Sequence, residues 1–245
     1  MTDYVELHSC SAFSFLRGGS FPEQLAHTAA ELEMPAMALL DRNGVYGAQR
    51  FSVAAREQNV RPIIGAELSM EDGGILPVLV ENRAGYKNLC ELLTQAHLRS
   101  EKGKCAVKWS ELPQFAEGLV VLVGEAVCFP SPSRTGTIKR DASSVPYKQK
   151  PDTTHSTSSG QAPPVPPISN LIHGFGRENV FVEIQRHFLR GKEQINRQLV
   201  DLARANRLSI IATNGVQYAK PSGREVLDVF TCSASTPISM PRASC

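Results

Sequence analysis

The stretch "VELHSCSAFSFLRGG" sets an imidazole and a thiol, His8 and Cys10, two positions apart, just after residues that read as a short strand, Val5-Glu6-Leu7-His8. His8-Ser9-Cys10 comes within one residue of the metal-binding pattern His-x-His, and a cysteine can itself hold zinc as a thiolate. Further groups able to do chemistry lie at or near the ends of other apolar runs. Asp41 closes Ala36-Met37-Ala38-Leu39-Leu40-Asp41. Glu67 sits near the end of Ile63-Ile64-Gly65-Ala66-Glu67-Leu68. His187 and Asn214 follow Val180–Ile184 and Leu208–Ala212. Imidazoles and carboxylates are suitable ligands for a divalent ion. In parallel α/β folds the reactive groups collect at the carboxyl ends of strands.

The elements that must position these groups alternate. Ser20-Phe21-Pro22-Glu23 has the form of a capping box, with Ser20 as cap and Glu23 three residues later, and predicts a helix through Leu25, Ala29, Ala30 and Leu32. Ala36–Asp41 is too short for a helix and suits a buried strand, with Asn43-Gly44 as its turn. Phe51, Ala54 and Ala55 mark another helix. Ile63–Leu68 and Leu76–Val80 are strands, Tyr86 to Leu93 has helical spacing, and Leu119–Val123 is the plainest buried strand. A strand over 180–184, a helix over about 194–206 and a strand over 208–212 complete the pattern. Successive βα units predict a parallel α/β fold, open or closed.

With 245 residues and 42% hydrophobic content, the chain can bury one sizeable core. The formal net charge of +2 demands neither nucleic acid nor a membrane as partner. No apolar run approaches the roughly 20 residues that span a bilayer, and no basic region followed by an apolar stretch opens the chain. The six cysteines are scattered with no CxxC pair, which argues against a zinc ribbon and a disulfide scaffold and for reduced thiols in the cytoplasm. Gly18-Gly19 lacks the spacing of a phosphate-binding loop and reads as a turn.

Residues 127–169 contain "PSPSRTGTIKRDASSVPYKQKPDTTHSTSSGQAPPVPPIS" and have few large apolar side chains, so a disordered insert is expected there. It divides the chain into a first part, 1–126, and a second, 170–232. The end, "SASTPISMPRASC" (233–245), loses helical periodicity abruptly and is expected to be an irregular tail, with a shifted reading frame as the simplest explanation.

Taken in order, "VELHSCSAFSFLRGGSFPEQL", "ALLDRNGVYGAQRF", "RPIIGAEL", "LVENRAGYKNLCELLT", "GRENVFVEIQRH" and "IIATNGVQYA" resemble the N-terminal PHP (polymerase and histidinol phosphatase) domain of bacterial C-family DNA polymerases of the III α-subunit type. The wording is nearest the error-prone branch. The resemblance covers about Tyr4 to Cys232, apart from the insert, and implies a distorted (β/α)7 barrel. In active members His, Asp, Glu and sometimes Cys hold a trinuclear cluster of divalent metals, which neutralise a phosphate and activate a water.

Matched to that pattern, the ligand positions are partly lost. His8 fits the first position of His-x-His and Cys10 stands at the second. Arg17, in Leu16-Arg17-Gly18, occupies the place of an aspartate. Arg42, in Leu40-Asp41-Arg42, occupies the place of a histidine. Glu67 and His187 match, a further expected histidine falls at Ile75, and Gly215 and Gln217 stand where Asp-x-His is expected. His8, Cys10, Glu67 and His187 are therefore a remnant metal site, and Arg17, Arg42, Gly215 and Gln217 are degraded ligand positions. The plainer readings are hydrogen-bonded structural roles for His8 and His187, an inert thiol for Cys10, and an ion pair of Glu67 with Arg17 or Arg42.

The resemblance implies a non-catalytic, structural PHP domain of an error-prone DNA polymerase serving DNA replication and translesion synthesis. The polymerase core lies outside these residues, so the chain is expected to be inactive alone, as a truncated product or a domain piece. No cofactor is expected, the alternative being Zn or Mn at the remnant site. The implied partners are the remainder of the polymerase and, through it, DNA and the sliding clamp, with no membrane. The competing functions are a metal-dependent phosphoesterase or 3′–5′ proofreading exonuclease, and a stand-alone interaction module, for which the run Ala162 to Pro167 could serve as a polyproline ligand.

Overall fold

The computed structural model describes residues 4–101, 103–129, 168–188 and 192–235. Six strands form one sheet in chain order: β1 (Ala36–Arg42), β2 (Arg61–Ser69), β3 (Ile75–Val80), β4 (Leu119–Val123), β5 (Val180–Gln185) and β6 (Ser209–Thr213). β1 pairs with β2, β4 with β5 and β5 with β6 in parallel, whereas β3 runs antiparallel to both its neighbours. The expected all-parallel order therefore fails at β3. No helix separates β2 from β3. Instead a tight turn joins them, in which Gly73 adopts φ +88° and Met70 N–H donates to the Gly74 carbonyl. A connection this short can only reverse the chain.

The sheet curls until its edges meet through the segment Glu6–Cys10. On one side, Ala38 N–H donates to the Glu6 carbonyl and Leu40 N–H to that of Ser9. On the other, Cys10 N–H donates to Val216 O and Val216 N–H to His8 O. The expected strand at 5–8 is thus present as a ladder of isolated bridges rather than a regular strand, and it supplies the seventh stave of a distorted barrel. The buried Glu6 carboxylate pins this closure, accepting from the backbone N–H groups of His8 and Asn214 and from the Tyr4 hydroxyl.

Alternation sorts the strand residues into two cores. Ala38, Leu40, Leu79 and Leu122, with Ile63, Val120, Phe181, Ile211 and Leu7, fill the inside of the barrel. The alternate residues face the helices. Met37 and Leu39 meet Leu25, Ala29, Phe51 and Ala55 of α1 (Pro22–Glu31) and α2 (Ala48–Glu57). Leu119, Val121, Val123, Val180 and Val182 join Leu89, Leu92, Leu93 and Ala96 of α3 (Arg83–Arg99) in the larger outer core. The three- and four-residue spacing of these buried helix residues is what makes each helix lie along the sheet.

Two local expectations change. Ser20 does not cap α1: Phe21 is the residue that precedes the helix, its N–H is accepted by Gln24 Oε1, and the Ser20 hydroxyl accepts from Ala219 N–H instead. The tertiary contact to the last barrel segment outcompetes the local cap. Of the expected insert, 130–167 lie outside the described residues. At its edges Val127 and Cys128 are buried in the short α4 (Glu125–Cys128), and Ile168 and Ser169 open α5 (Ile168–Phe175). α6 spans Lys192–Asn206. α7 (Gly223–Ser235) carries the chain three residues into the expected irregular tail, and the rest of that tail lies outside the described residues. No helix among the described residues is long and apolar enough to cross a membrane.

Candidate functional site

Continuing the inward register past the barrel core leads to the site. On β1 the inward set Ala38, Leu40 ends in Arg42. On β2, Ile63 and Gly65 lead to Glu67. On β5, Phe181 leads to Glu183 and Gln185, and on β6, Ile211 leads to Thr213. Arg42, Glu67, Glu183 and Gln185 line a cavity of about 520 Å³ with His8, Cys10, Arg17, Glu125, Lys192, Gly215 and Gln217, walled by Ile75, Pro77, Leu199 and Val216, while Thr213 is buried behind Glu183. Gly65 and Gly124 keep the inside of the barrel open to packing. A Cβ at Gly65 would lie 2.2 Å from Val78 O, and one at Gly124 2.8 Å from Glu183 Oε2.

His8 is the hub. Its Nδ1 lies 2.6 Å from Glu183 Oε1 and its Nε2 2.8 Å from Glu67 Oε1. Glu67 takes a second bond from Arg42 Nε at 2.7 Å through its other oxygen. Glu183 is also bonded by the Thr213 hydroxyl and by Gln185 Nε2 at 3.1 Å. Burial alone would lower the imidazole pKa, but the charge of Glu183, its hydrogen bond and those of Glu67 outweigh it and raise it to about 10. Burial alone would raise the Glu67 carboxyl, but the His8 hydrogen bond and the Arg42 charge hold it down to about 2. Glu183 is shifted down for the same reason, through His8. At neutral pH the hub is an imidazolium donating to two carboxylates.

Cys10 is buried, its Sγ 3.8 Å from the Arg17 carbonyl, and burial with the nearby Glu67 and Asp41 charges pushes the thiol to about 12. Without a metal, the neutral thiol is the favoured form. Asp41 points away from the cavity. Its Oδ1 accepts from the Ser11 N–H and from the hydroxyls of Ser11 and Ser14, and its Oδ2 from Gly47 N–H. These bonds tie down the loop that follows His8.

Of the residues singled out in the sequence, His8, Cys10, Arg17, Arg42, Glu67, Gly215 and Gln217 converge on the cavity. His187 does not line it. It lies beyond β5, exposed, with its Nε2 3.4 Å from Gln185 Oε1. Glu67 makes the ion pair with Arg42 and not with Arg17. Glu183 escaped sequence reasoning. The signal available was its place within the apolar run of β5, where a carboxylate on the inward side demands a buried partner. No three or more His, Cys, Asp or Glu side chains among the described residues form a group arranged to hold a metal ion. The donor set does not fit one. Both His8 nitrogens are spent as donors, Glu67 is shared between two cations, and the Cys10 thiol is neutral. A ligating imidazole must be unprotonated at the ligating nitrogen.

Comparison with known proteins gives a consistent picture. The PHP domain family model matches residues 6–187. The error-prone DNA polymerase of Mycolicibacterium paratuberculosis is 34% identical over 235 residues, 91% of this chain and 20% of that protein. That of Corynebacterium efficiens is 44% identical over 191 residues, 76% of this chain and 14% of that protein. The DNA polymerase III subunit alpha of Caulobacter vibrioides is 30% identical, covering 94% and 19% respectively. The chain thus spans a fifth or less of the length of these relatives. Among solved structures, a protein assigned as a metal-dependent phosphoesterase from Bifidobacterium adolescentis superposes with a TM-score of 0.56 at 12% identity, covering 92% of this chain and 96% of that one. At that identity the likeness shows the fold alone.

Proposed function

Because the chain belongs to the PHP domain family, we propose that it is a non-catalytic, structural PHP barrel of an error-prone DNA polymerase. Template-directed nucleotide addition, and contacts with DNA and the sliding clamp, would then belong to regions beyond these residues, in the cytoplasm. Its similarity to error-prone polymerases over most of its own length supports the assignment to that type.

The observation that carries the non-catalytic reading is the hub itself. In a metal-dependent phosphoesterase, ions gather charge at the substrate and lower the pKa of a bound water. Here the charge between Glu67 and Glu183 comes from the His8 imidazolium, and Arg42 supplies more on Glu67. An arginine offers no lone pair, only N–H donors. The side chains that would bind and activate water are thereby used to hold β1, β2 and β5 to the N-terminal segment. The barrel is cross-linked at this end by charged hydrogen bonds.

Elemental analysis of protein purified without chelator is the test, together with assays for hydrolysis of p-nitrophenyl phosphate and of a 3′-labelled single strand in added Zn, Mn or Mg. The expected outcome is at most a substoichiometric metal and no hydrolysis. A full trinuclear complement with metal-dependent hydrolysis would overturn the reading in favour of a phosphoesterase or a proofreading exonuclease.

A further inference from the structure

Among the described residues, β6 is left bare on the outside of the barrel. Strand alternation turns Ile211 and Thr213 inward and Ile210 and Ala212 outward. The outward residues of the other strands are buried or half-buried, as Met37 and Leu39 are on β1, Val121 and Val123 on β4 and Val180 and Val182 on β5. Ile210, by contrast, is 45% exposed, and Ala212 is exposed as well. On the neighbouring strand, Ile184 lines a groove along α6 together with Val200; its rim carries Arg186, Arg197 and Arg204 against Glu193 and Asp201. Ala212 stands in register with Ile184, so the apolar floor of this groove continues onto β6.

The helix that follows β6 carries the matching surface. In α7, Val226, Leu227, Val229 and Phe230 fall on one face at helical spacing, and Arg224, Glu225 and Asp228 on the other. Its first turn abuts the barrel, where a Cβ at Gly19 would lie 2.7 Å from Gly223 O. None of residues 223–233 is buried, and Val229 is 62% exposed. One chain thus holds both halves of a helix-in-groove contact, an uncovered apolar stripe and an outer strand face without a helix. Charge favours the same pairing. α7 has two acids and one arginine, whereas the groove rim has three arginines and two acids. Glu225 flanks the stripe one turn before Val229, placed to meet that rim.

Area decides how the contact closes. A 13-residue helix is about 20 Å long and about 10 Å across, so one face seated in a groove removes about 600 Å² from water, both sides together. A specific interface needs about 1,200 Å² or more. Two reciprocal contacts about a two-fold axis reach that figure, at the weak end of its range. We propose that the chain forms a weak, closed homodimer in which α7 of each copy lies in the groove between α6 and β6 of the other. The charged hub takes no part in this contact, so its role stands or falls separately.

Sedimentation velocity and light scattering on the full chain, from about 1 to about 500 µM, should show a reversible monomer–dimer equilibrium. Val229→Glu on α7 and Ile210→Lys on β6 each set a charge against an apolar surface and should raise the dimer dissociation constant about tenfold or more, with unchanged circular dichroism. An equimolar mixture of the two should dimerise more strongly than either alone. The mixed pair keeps one native contact and brings opposite charges together in the other. Arg197→Glu, at an exposed position on the rim, should also weaken the dimer and keeps the groove testable should Ile210→Lys fold poorly. A monomer at every concentration overturns the proposal, and so does growth beyond the dimer, which would mean an open chain of contacts. Dimers that both groove variants leave unchanged would set α7 against α7 and overturn the groove as its seat. Dimers indifferent to Val229→Glu would overturn the part given to α7.

Discussion

Replacing His8 with glutamine probes the hub directly. The imidazolium bridges Glu183 at 2.6 Å and Glu67 at 2.8 Å, with side-chain exposures of 12% for His8, 4% for Glu183 and 14% for Glu67. Glutamine can hydrogen-bond here but brings no charge, so the two carboxylates face each other with only Arg42 to compensate. Removing one partner of a buried ion pair costs about 3–5 kcal/mol. The surviving Arg42–Glu67 pair and the adjoining cavity, which admits water, place this case near the low end, about 3 kcal/mol at neutral pH. For a chain of this size 1 kcal/mol moves Tm by about 2–4 °C, so Tm should fall by about 6–12 °C. The pH dependence fixes the sign. The folded pKa of His8 is about 10, raised from 6.5. Its contribution is whole below about pH 6.5 and is lost as pH rises through about 10. The gap between wild type and His8→Gln should therefore be widest near pH 6 and close towards pH 10. Glu67, held to about 2 against 4.5, acts at the other end: its contribution is present above about pH 4.5 and lost as pH falls towards 2. Thermal unfolding by circular dichroism at constant ionic strength reads both limbs. A gap that stays constant from about pH 6 to about pH 10, or equal Tm values for the two proteins, would refute the charged hub.

Asp41→Ala should orphan the buried N–H groups of Ser11 and Gly47, costing about 2–6 kcal/mol at about 1–3 kcal/mol each, and should speed hydrogen exchange at both amides; unchanged exchange there would contradict the role given to Asp41. Gly65→Ala forces a methyl to within 2.2 Å of Val78 O between β2 and β3 and should destabilise the barrel by about 1–3 kcal/mol, read as a lower urea midpoint. Asn82→Ala removes the side-chain oxygen that accepts from Gly85 N–H at the start of α3, and should lower stability by about 1 kcal/mol, seen as a small Tm decrease with no change in secondary structure.

The sequence by itself determined the six strands of the sheet and the helices α1, α2, α3 and α6, because apolar runs such as Ala36–Asp41 and Leu119–Val123 and the helical spacing around Leu89 and Leu93 are local signals; it did not reveal α4 and α5, at the edges of the expected insert. It also determined that cations stand at Arg17 and Arg42 where ligands are expected, since residue type needs no coordinates. Tertiary structure alone decided the rest. The reversal of β3 follows from a turn too short for a crossover, and the capture of Ser20 by Ala219 follows from a contact 199 residues away in the chain. The pairing of Glu67 with Arg42, and of His8 with a glutamate 175 residues distant, depends on how far the sheet curls before Glu6–Cys10 closes it. Strand alternation fixes only which residues share a face, not whether that face looks inward. Glu183 could be assigned to the hub, and His187 placed outside the cavity, only once the barrel had an inside.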